Sequence, residues 1–204
     1  MLKGIVQNNM LRRLKSDVLD LPDKIYCNEY VENTPIQRQL YQSVREGLFA
    51  DKSKILASMN PLAMMMKLRQ VNGSPELVDS NIILDKTYIK KNAKFARILE
   101  LIEDITNRGE KVVIFSNWVE PLRTLYKFIH QYYDVACFTG TMKETIREQH
   151  KQKFMTDPNC KILIGTIGAA GTTHTFTAAN NVIFLDEPWT ATDKLQAIDR
   201  VHRI

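Results

Sequence analysis

From about residue 93 onward, short apolar segments alternate with longer helical patterns, and no other feature of the sequence restricts the fold as strongly. The apolar segments predict four strands, at Lys111–Phe115, Val135–Phe138, Lys161–Ile164 and Asn181–Leu185. The helical patterns predict helices over Phe95–Ile105, ending at Asn107–Gly109, over Leu122–Ile129 and over about Lys143–Met155. Short strands that alternate with such helices are typical of βαβ units. We therefore expect an α/β fold in which helices flank a parallel sheet.

The first 92 residues follow a different pattern. Pro35 and Pro61 each precede apolar residues at helical spacing, and proline favours the first position of a helix. Residues 72–92 contain glycine, proline and several lysines, a composition that predicts an extended connector. We expect a mainly helical and linker segment over residues 1–92 and a second unit over residues 93–204.

The composition and the rarer residue types narrow the class of protein. A net charge of +5 gives modest support for a polyanionic partner. Cys27, Cys137 and Cys160 form no C-x-x-C pair, and because Cys137 and Cys160 lie beside apolar stretches we expect those two to be buried reduced thiols rather than zinc ligands. Met64–Met66 is interpreted as gap-filling core in preference to a promiscuous binding surface. Because no apolar run approaches the roughly 18 residues of a membrane span, we expect an intracellular protein, and the cysteine usage fits a bacterial cytoplasm and a eukaryotic nucleus alike.

Polar residues follow the first two predicted strands, at the edge where parallel sheets bind ligands. Ser116 and Asn117 can donate hydrogen bonds to phosphate oxygens, and the neighbouring Trp118 can stack. The same residues can instead cap the next helix, with Trp118 in the core, and taken alone they favour that role. Thr139 and Gly140 offer a hydroxyl and close backbone approach to a phosphate, although an ordinary capped turn fits them equally well.

The segments after the third and fourth predicted strands are also open to two interpretations. Residues 165–173 combine glycine, alanine and threonine, as phosphate-cradling loops do, but include no lysine. The G-x-x-x-x-G-K-S/T sequence that holds a triphosphate occurs nowhere in the chain. Asp186 and Glu187 are placed like a magnesium-binding pair, yet without that lysine a capping or salt-bridging role is favoured.

The last nine residues, 196–204, carry two arginines. On a helix, Gln196, Arg200 and Arg203 would stand at i, i+4 and i+7 and project from one face. Guanidinium groups bind phosphate oxygens through planar, permanently charged forks, and one can act as an arginine finger in phosphoryl transfer. Solvated cations near a helix C-terminus are the alternative, and this segment alone leaves both possibilities open.

The order of these segments resembles one known family. Lys111–Trp118, Phe138–Gly140, Arg147–Phe154, Thr166–Ala179 and Gln196–Ile204 are similar to consecutive motifs of the second, C-terminal RecA-like lobe of Swi/Snf-type superfamily 2 helicases. Upstream, Met10–Lys24, Lys67–Val71 and Ser74–Pro75 are similar to further landmarks of that family. The resemblance implies a RecA-like parallel β-sheet with flanking helices, preceded by the N-terminal mainly helical segment.

The resemblance also implies an activity. Such motors hydrolyse ATP, bound with Mg²⁺ mainly by the first lobe, while they move along double-stranded DNA. The chain would therefore be the second motor lobe of a DNA translocase or remodeller, with DNA and the first lobe as partners, no membrane partner, and no ATPase activity in isolation.

Site residues follow from the same resemblance. Arg203 would be the arginine finger with Arg200 beside it, and Gln196 and Gly171 would face the nucleotide. The residues that would face the DNA backbone are Ser116, Asn117, Thr139, Gly140 and Thr166.

The loop over residues 169–176 departs from the family pattern. Thr173 replaces a glycine and Thr175 an asparagine, although the following residues are similar to a distant branch associated with strand annealing and fork remodelling. For His174 a packed or solvent-facing role is favoured over a phosphate contact. A non-catalytic RecA-like module that binds DNA or protein is the alternative function. An enzyme acting on a small molecule would need a nucleophile or an acid–base pair, and the sequence offers no persuasive set.

Overall fold

The computed structural model describes residues 21–50, 61–79, 81–82, 84–85, 87–170 and 174–203. In this part of the chain four parallel strands form one sheet in the order β2-β3-β1-β4. The strands are β1 (Val112–Ser116), β2 (Val135–Phe138), β3 (Ile162–Thr166) and β4 (Asn181–Phe184). The α/β fold and all four predicted strands are confirmed, with strand ends that differ from the predicted ones by at most two residues.

Helices precede and surround this sheet. In chain order they are α1 (Pro35–Ala50), α2 (Pro61–Gly73), a 3₁₀ helix (Pro75–Leu77), α3 (Tyr88–Lys91), α4 (Ala93–Asn107), α5 (Val119–Ile129), α6 (Glu144–Thr156), α7 (Ile167–Ala170) and α8 (Ala191–Val201). The helices predicted after residue 93 are confirmed, and α1 and α2 both begin at the expected prolines.

Both faces of the sheet are buried. Val112 and Ile114 of β1 enter one hydrophobic cluster, whereas Val113 and Phe115 enter another, because successive side chains of a strand point to opposite faces. Helices α4 and α5 cover the first cluster, and α6, α7 and α8 cover the second. The sheet is therefore the middle layer of an α/β/α arrangement.

The start and end of α4 show why the sequence forms a helix there. The Asn92 side chain accepts a hydrogen bond from the Phe95 N–H at 3.2 Å, which satisfies a backbone donor of the first turn. Apolar residues at helical spacing bury one side of the helix. Gly109, with φ of +79°, then takes the left-handed conformation that commonly ends a helix. The predicted stop at residues 107–109 is confirmed.

A buried glutamine attaches the N-terminal helices to the α/β unit. Gln37 of α1 is fully buried. Its Nε2 donates to the Val71 carbonyl oxygen at 3.3 Å, and its Oε1 accepts from the Ala93 N–H at 3.1 Å. One amide side chain thus links α1, α2 and the start of α4.

Residues 72–92 do not form an extended connector, so that prediction is wrong. The segment includes the end of α2, the 3₁₀ helix and α3, and it packs on the rest of the chain. Glu76 accepts hydrogen bonds from the Tyr88 hydroxyl and, at 3.3 Å, from the Thr124 hydroxyl of α5. Burial raises the pKa of Glu76 above its ordinary value. Buried polar contacts, which composition does not reveal, hold this segment in place.

The interpretation of the methionine run as gap-filling core holds only in part. Met65 of α2 is 56% exposed and the nearby Leu62 is 51% exposed, whereas Met64 and Met66 are half-buried. The thiols fit the expectation better, because Cys160 is buried and Cys137 half-buried, although Cys27 is exposed. Burial raises the pKa of Cys137 to about 11 and also raises that of Cys160, which makes both poor nucleophiles. None of the helices in the described ranges is long and apolar enough to span a bilayer.

Candidate functional site

The carboxyl ends of the parallel strands meet at one edge of the sheet, as expected. Ser116 at the end of β1 lies beside Thr166 at the end of β3, and Phe138 at the end of β2 pairs with Gly165. The segments that leave these strands begin with the polar residues singled out in the sequence. We call this side of the sheet the carboxyl edge.

Asp186 organises the part of the carboxyl edge next to β1 and β4. Its carboxylate accepts hydrogen bonds from the Ser116 hydroxyl, from the Asn117 N–H at 2.9 Å and from the Asn117 side-chain amide. The same amide also donates to the Glu187 carbonyl oxygen at 3.0 Å, and the Glu187 carboxylate pairs with Lys194 at 2.7 Å. Both Asp186 oxygens are thus occupied within the protein. The structure favours the capping and salt-bridging role over a magnesium-binding role.

The five residues expected to face DNA differ in exposure. Ser116 is fully buried, and Thr139 and Thr166 are each only 8% exposed. Asn117 is half-buried and Gly140 is exposed. The three hydroxyls are buried and therefore contribute to the structure of the loops rather than to their surface. The surface that a ligand can reach is formed by Asn117, Gly140 and their neighbours.

We expected Trp118 either to stack on a ligand or to lie in the core, but its side chain is neither fully exposed nor fully buried. It is half-buried and occupies the N-cap position of α5 without a side-chain cap. The Ser116 oxygen accepts from the Trp118 N–H at 3.0 Å, a bond that stabilises the turn before α5 but does not cap the helix. The alternative in which Ser116 or Asn117 caps the next helix is therefore wrong, because Trp118 takes the N-cap position.

Two residues from the N-terminal half, Arg69 and Lys94, reach the carboxyl edge, although no sequence pattern predicts that position. The Arg69 guanidinium of α2 lies 4.1 Å from the ring centre of Trp189 and 5.5 Å from that of Trp118. It also donates to the Glu187 carbonyl oxygen. Lys94, in the first turn of α4, has its pKa lowered by burial and by Arg69, whereas Asp186 acts in the opposite direction. Arg69 lies within the Lys67–Val71 stretch that is similar to a family landmark, but no sequence pattern predicts what it contacts.

The arginines of the last helix form a separate group. Gln196 is exposed on α8, Arg200 is half-buried in its last turn, and the helix begins directly after the carboxyl edge. A helix of this length runs roughly 16 Å away from that edge. The expectation that Arg203 projects from the same helix is wrong, because α8 ends at Val201 and Arg203 lies two residues beyond it, exposed.

Contacts from two directions hold the end of α8. The Phe176 N–H donates to the Arg200 carbonyl oxygen at 2.7 Å, so the last turn is attached to the segment that follows β3 and α7. From the start of the described chain, Lys24 pairs with Asp199 at 2.9 Å, and His202 Nε2 donates to the Pro22 carbonyl oxygen at 2.8 Å. The arginine-bearing end is thus a fixed part of the fold.

The altered loop is only partly described, and Gly171 lies outside the described residues. His174 packs edge-on against Phe138 with ring centres 4.7 Å apart, and its side chain is 13% exposed. Its Nε2 lies 3.7 Å from a Glu144 carboxylate oxygen, and its Nδ1 lies 3.8 Å from a Glu148 carboxylate oxygen. The packed role favoured for this histidine agrees with that position.

A parallel sheet with polar loops at its carboxyl edge and arginines at the end of its last helix defines a RecA-like helicase lobe. The chain belongs to the helicase conserved C-terminal domain family, which residues 93–204 match. The boundary that we placed at residue 92 between two units stays a prediction.

Similar proteins identify the branch of that family as SNF2-type ATP-dependent helicases. The chain is 31% identical over 199 residues to an uncharacterized ATP-dependent helicase of Mycoplasma pneumoniae. The aligned region covers 96% of the chain and 19% of that relative. It is 26% identical to the SWI2/SNF2 ATPase C-terminal domain of Sulfolobus solfataricus, with a TM-score of 0.69, over 82% of the chain and 74% of that domain.

A third similar structure is the Sulfolobus solfataricus SWI2/SNF2 ATPase core in complex with double-stranded DNA. The identity is 30% and the TM-score 0.74, over 100% of the chain and 43% of that core. The chain thus corresponds to the second lobe of such a helicase and spans about a fifth of the length of the curated relatives, between 18% and 19% for the first three.

Proposed function

We propose that this lobe works in an ATP-driven translocase on double-stranded DNA inside the cell, as the half that supplies arginines to a nucleotide. ATP and Mg²⁺ would be held mainly by the first lobe, since the described residues offer no phosphate-binding lysine loop and Asp186 is already occupied. Arg203 would act as the finger and Arg200 as its neighbour, with Gln196 and Gly171 also facing the nucleotide. Bound ATP supplies the phosphoryl group that is transferred to water.

The exposed position of Arg203 carries the nucleotide part of this proposal. Val201 is buried in the second hydrophobic cluster, whereas Arg203, two residues later, is exposed. The anchored end of α8 therefore presents a permanently charged guanidinium to the surface without burying it. Such a group neutralises charge on a transferring phosphoryl group when another domain closes around it.

The carboxyl edge supports the DNA part of the proposal. Asn117 and Gly140 offer an amide and an accessible backbone, and such groups bind phosphate oxygens without reading base sequence. Ser116, Thr139 and Thr166 would act mainly by shaping the loops, because they are buried. The similarity to an ATPase core solved with double-stranded DNA is consistent with that placement.

The decisive experiment replaces Arg203 by alanine in the protein that contains both lobes. We expect kcat for ATP hydrolysis to fall by about 10³-fold or more, the usual effect of losing an arginine finger, with DNA affinity largely kept. Arg108→Ala is the matched control, because Arg108 is also exposed but precedes β1 at the opposite edge of the sheet. A comparable loss of activity in both variants would contradict the assignment.

The isolated 204-residue chain tests whether hydrolysis needs the first lobe. We expect no multiple-turnover ATPase activity from it, and DNA binding that weakens as salt rises. Turnover that survives Arg203→Ala would overturn the two-lobe mechanism. In the two-lobe protein, an absence of DNA-stimulated hydrolysis would support a simple binding module instead.

A further inference from the structure

The two tryptophans of the chain lie on either side of one arginine. Trp118 and Trp189 are the only tryptophans in the sequence, and they belong to different loops of the carboxyl edge, one after β1 and one after β4. The Arg69 guanidinium approaches both rings, at 5.5 Å and 4.1 Å from their centres. We call these three side chains the arginine–tryptophan cluster.

The geometry explains why this contact holds its shape. Arg69 is half-buried, and a guanidinium stacks on an indole more strongly than an ammonium does because it is planar and more weakly hydrated. Its hydrogen bond to the Glu187 carbonyl oxygen fixes the plane of the guanidinium as well as its position. One side chain of α2 therefore restrains the loops after β1 and β4 together.

The cluster adjoins residues assigned above to DNA contact. Trp118 directly follows Asn117, and Glu187, whose carbonyl oxygen accepts from Arg69, also accepts from the Asn117 amide at 3.0 Å. Trp189 is 44% exposed, so its ring is restrained on the side of Arg69 and open to solvent elsewhere. A ligand at this edge would meet loops whose positions depend on α2.

We propose that Arg69 is a positioning residue for DNA binding, which acts by holding Trp118 and Trp189 in place rather than by contacting phosphate itself. The inference rests on the proposed function, because it assumes that the carboxyl edge faces DNA. It gives α2, which lies before the helicase C-terminal match, a direct part in shaping that surface.

Tryptophan fluorescence tests the first half of this inference in the 204-residue chain without DNA. In Arg69→Ala both indoles lose their neighbour, so we expect red-shifted emission and easier quenching by acrylamide. Lys67→Ala is the matched control, since it removes the same charge from an exposed position of the same helix. Circular dichroism and thermal unfolding show whether each variant is folded, and Arg69→Lys serves as a milder variant. An emission spectrum that is unchanged in folded Arg69→Ala would overturn the inference.

DNA binding tests the second half, with a short random-sequence duplex as the probe. We expect Arg69→Ala to bind roughly fivefold to tenfold more weakly at every salt concentration, because without its two cation–π contacts the loops after β1 and β4 must be ordered when DNA binds. The slope of log affinity against log salt should stay unchanged. A direct phosphate contact would instead lower that slope by about one.

The remaining outcomes distinguish failure of the inference from failure of the proposed function. Arg69→Lys keeps the charge but not the planar stack, so we expect it to restore little affinity, and full restoration would overturn the positioning role. Equal binding by the wild type and Arg69→Ala would sink the inference alone. Binding by the wild type that does not respond to salt would instead contradict the proposed DNA interface itself.

Discussion

The two halves of the carboxyl edge are built in different ways. Beside β1 and β4, a buried carboxylate gathers the polar groups, with Asp186 accepting from both Ser116 and Asn117. Beside β2 and β3, the Thr139 and Thr141 hydroxyl oxygens lie 3.0 Å apart and share a single hydrogen bond. Gly140 lies between them, with open space where a side chain would be.

The difference shows two ways to fix a loop. Hydrogen bonds to a buried charge hold the first half, and losing one partner leaves others unsatisfied. Close packing of the backbone holds the second half, since a Cβ on Gly165 would lie 2.9 Å from the Phe138 carbonyl oxygen. The first half should therefore respond to changes in polarity and the second to changes in volume.

The largest effect is expected from Asp186→Ala. The change leaves the buried Ser116 hydroxyl and the Asn117 N–H without their acceptor, so the free energy of unfolding should fall by about 2–4 kcal/mol. Urea denaturation of the chain measures this. Thr141→Ala, at an exposed position in the other half, is the comparison variant: it removes only the single hydrogen bond to Thr139 and should lower stability by about 1 kcal/mol or less. Similar losses in both variants would remove the distinction between the halves.

An intermediate effect is expected from Gly165→Ala. The added methyl group would collide with backbone of the neighbouring strand, which cannot move as a side-chain tip can, so we expect a loss of about 1–3 kcal/mol. Gly168→Ala adds the same methyl group on α7, where nothing lies within 4 Å, and alanine suits a helix better than glycine. We expect that control to be neutral or slightly stabilising. A loss in Gly168→Ala equal to that in Gly165→Ala would show that packing is not what separates them.

The smallest effect concerns pH. The outer edge of β2 is capped by His150 of α6, whose Nδ1 accepts from the Cys137 N–H at 3.1 Å. Burial and Lys153 lower the pKa of His150 from its ordinary 6.5, while Asp134 opposes the shift. The fold therefore favours the neutral imidazole. Its contribution to stability is present above pH 6.5 and is lost as pH falls from there toward the lowered pKa.

His150→Gln tests this dependence, because the amide oxygen can still accept from Cys137 without titrating. Thermal unfolding between mildly acidic and neutral pH should show a shallower loss of stability in the variant than in the wild type, by a fraction of one proton. Identical pH profiles would mean that His150 does not contribute, and a steeper profile in the variant would contradict the direction of the shift.

Much of the fold followed from local patterns. The four strands, helices α4, α5 and α6, and the prolines that open α1 and α2 were predictable because apolar spacing and proline act over a few residues. Helix α7 was not, since residues 165–173 have the composition of a loop. The polar residues of the carboxyl edge were predictable for a similar reason, since each directly follows an apolar strand. Their orientation was not, because the burial of Ser116 depends on Asp186, seventy positions later in the chain.

The features that could not be predicted depend on contacts between residues far apart in the sequence or on where a helix ends. Arg69 reaches Glu187, 118 positions further on, and no periodicity in α2 indicates that contact. Glu76 accepts hydrogen bonds from Tyr88 and Thr124, and these contacts hold in place a segment whose composition suggests a linker. The end of α8 at Val201 was missed because helical spacing continues to Arg203 in the sequence, whereas His202 already leaves helical geometry.

The anchoring of α8 to the start of the described chain has a mechanical consequence. Pro22 and Lys24 contact His202 and Asp199, so a displacement of residues 22–24 would act directly on the end of α8 through two non-covalent contacts. Arg200 and Arg203 flank these contact points, so such a displacement would reorient the end of the chain that carries them. The position of the N-terminal segment and the orientation of the two C-terminal guanidinium groups are therefore physically coupled.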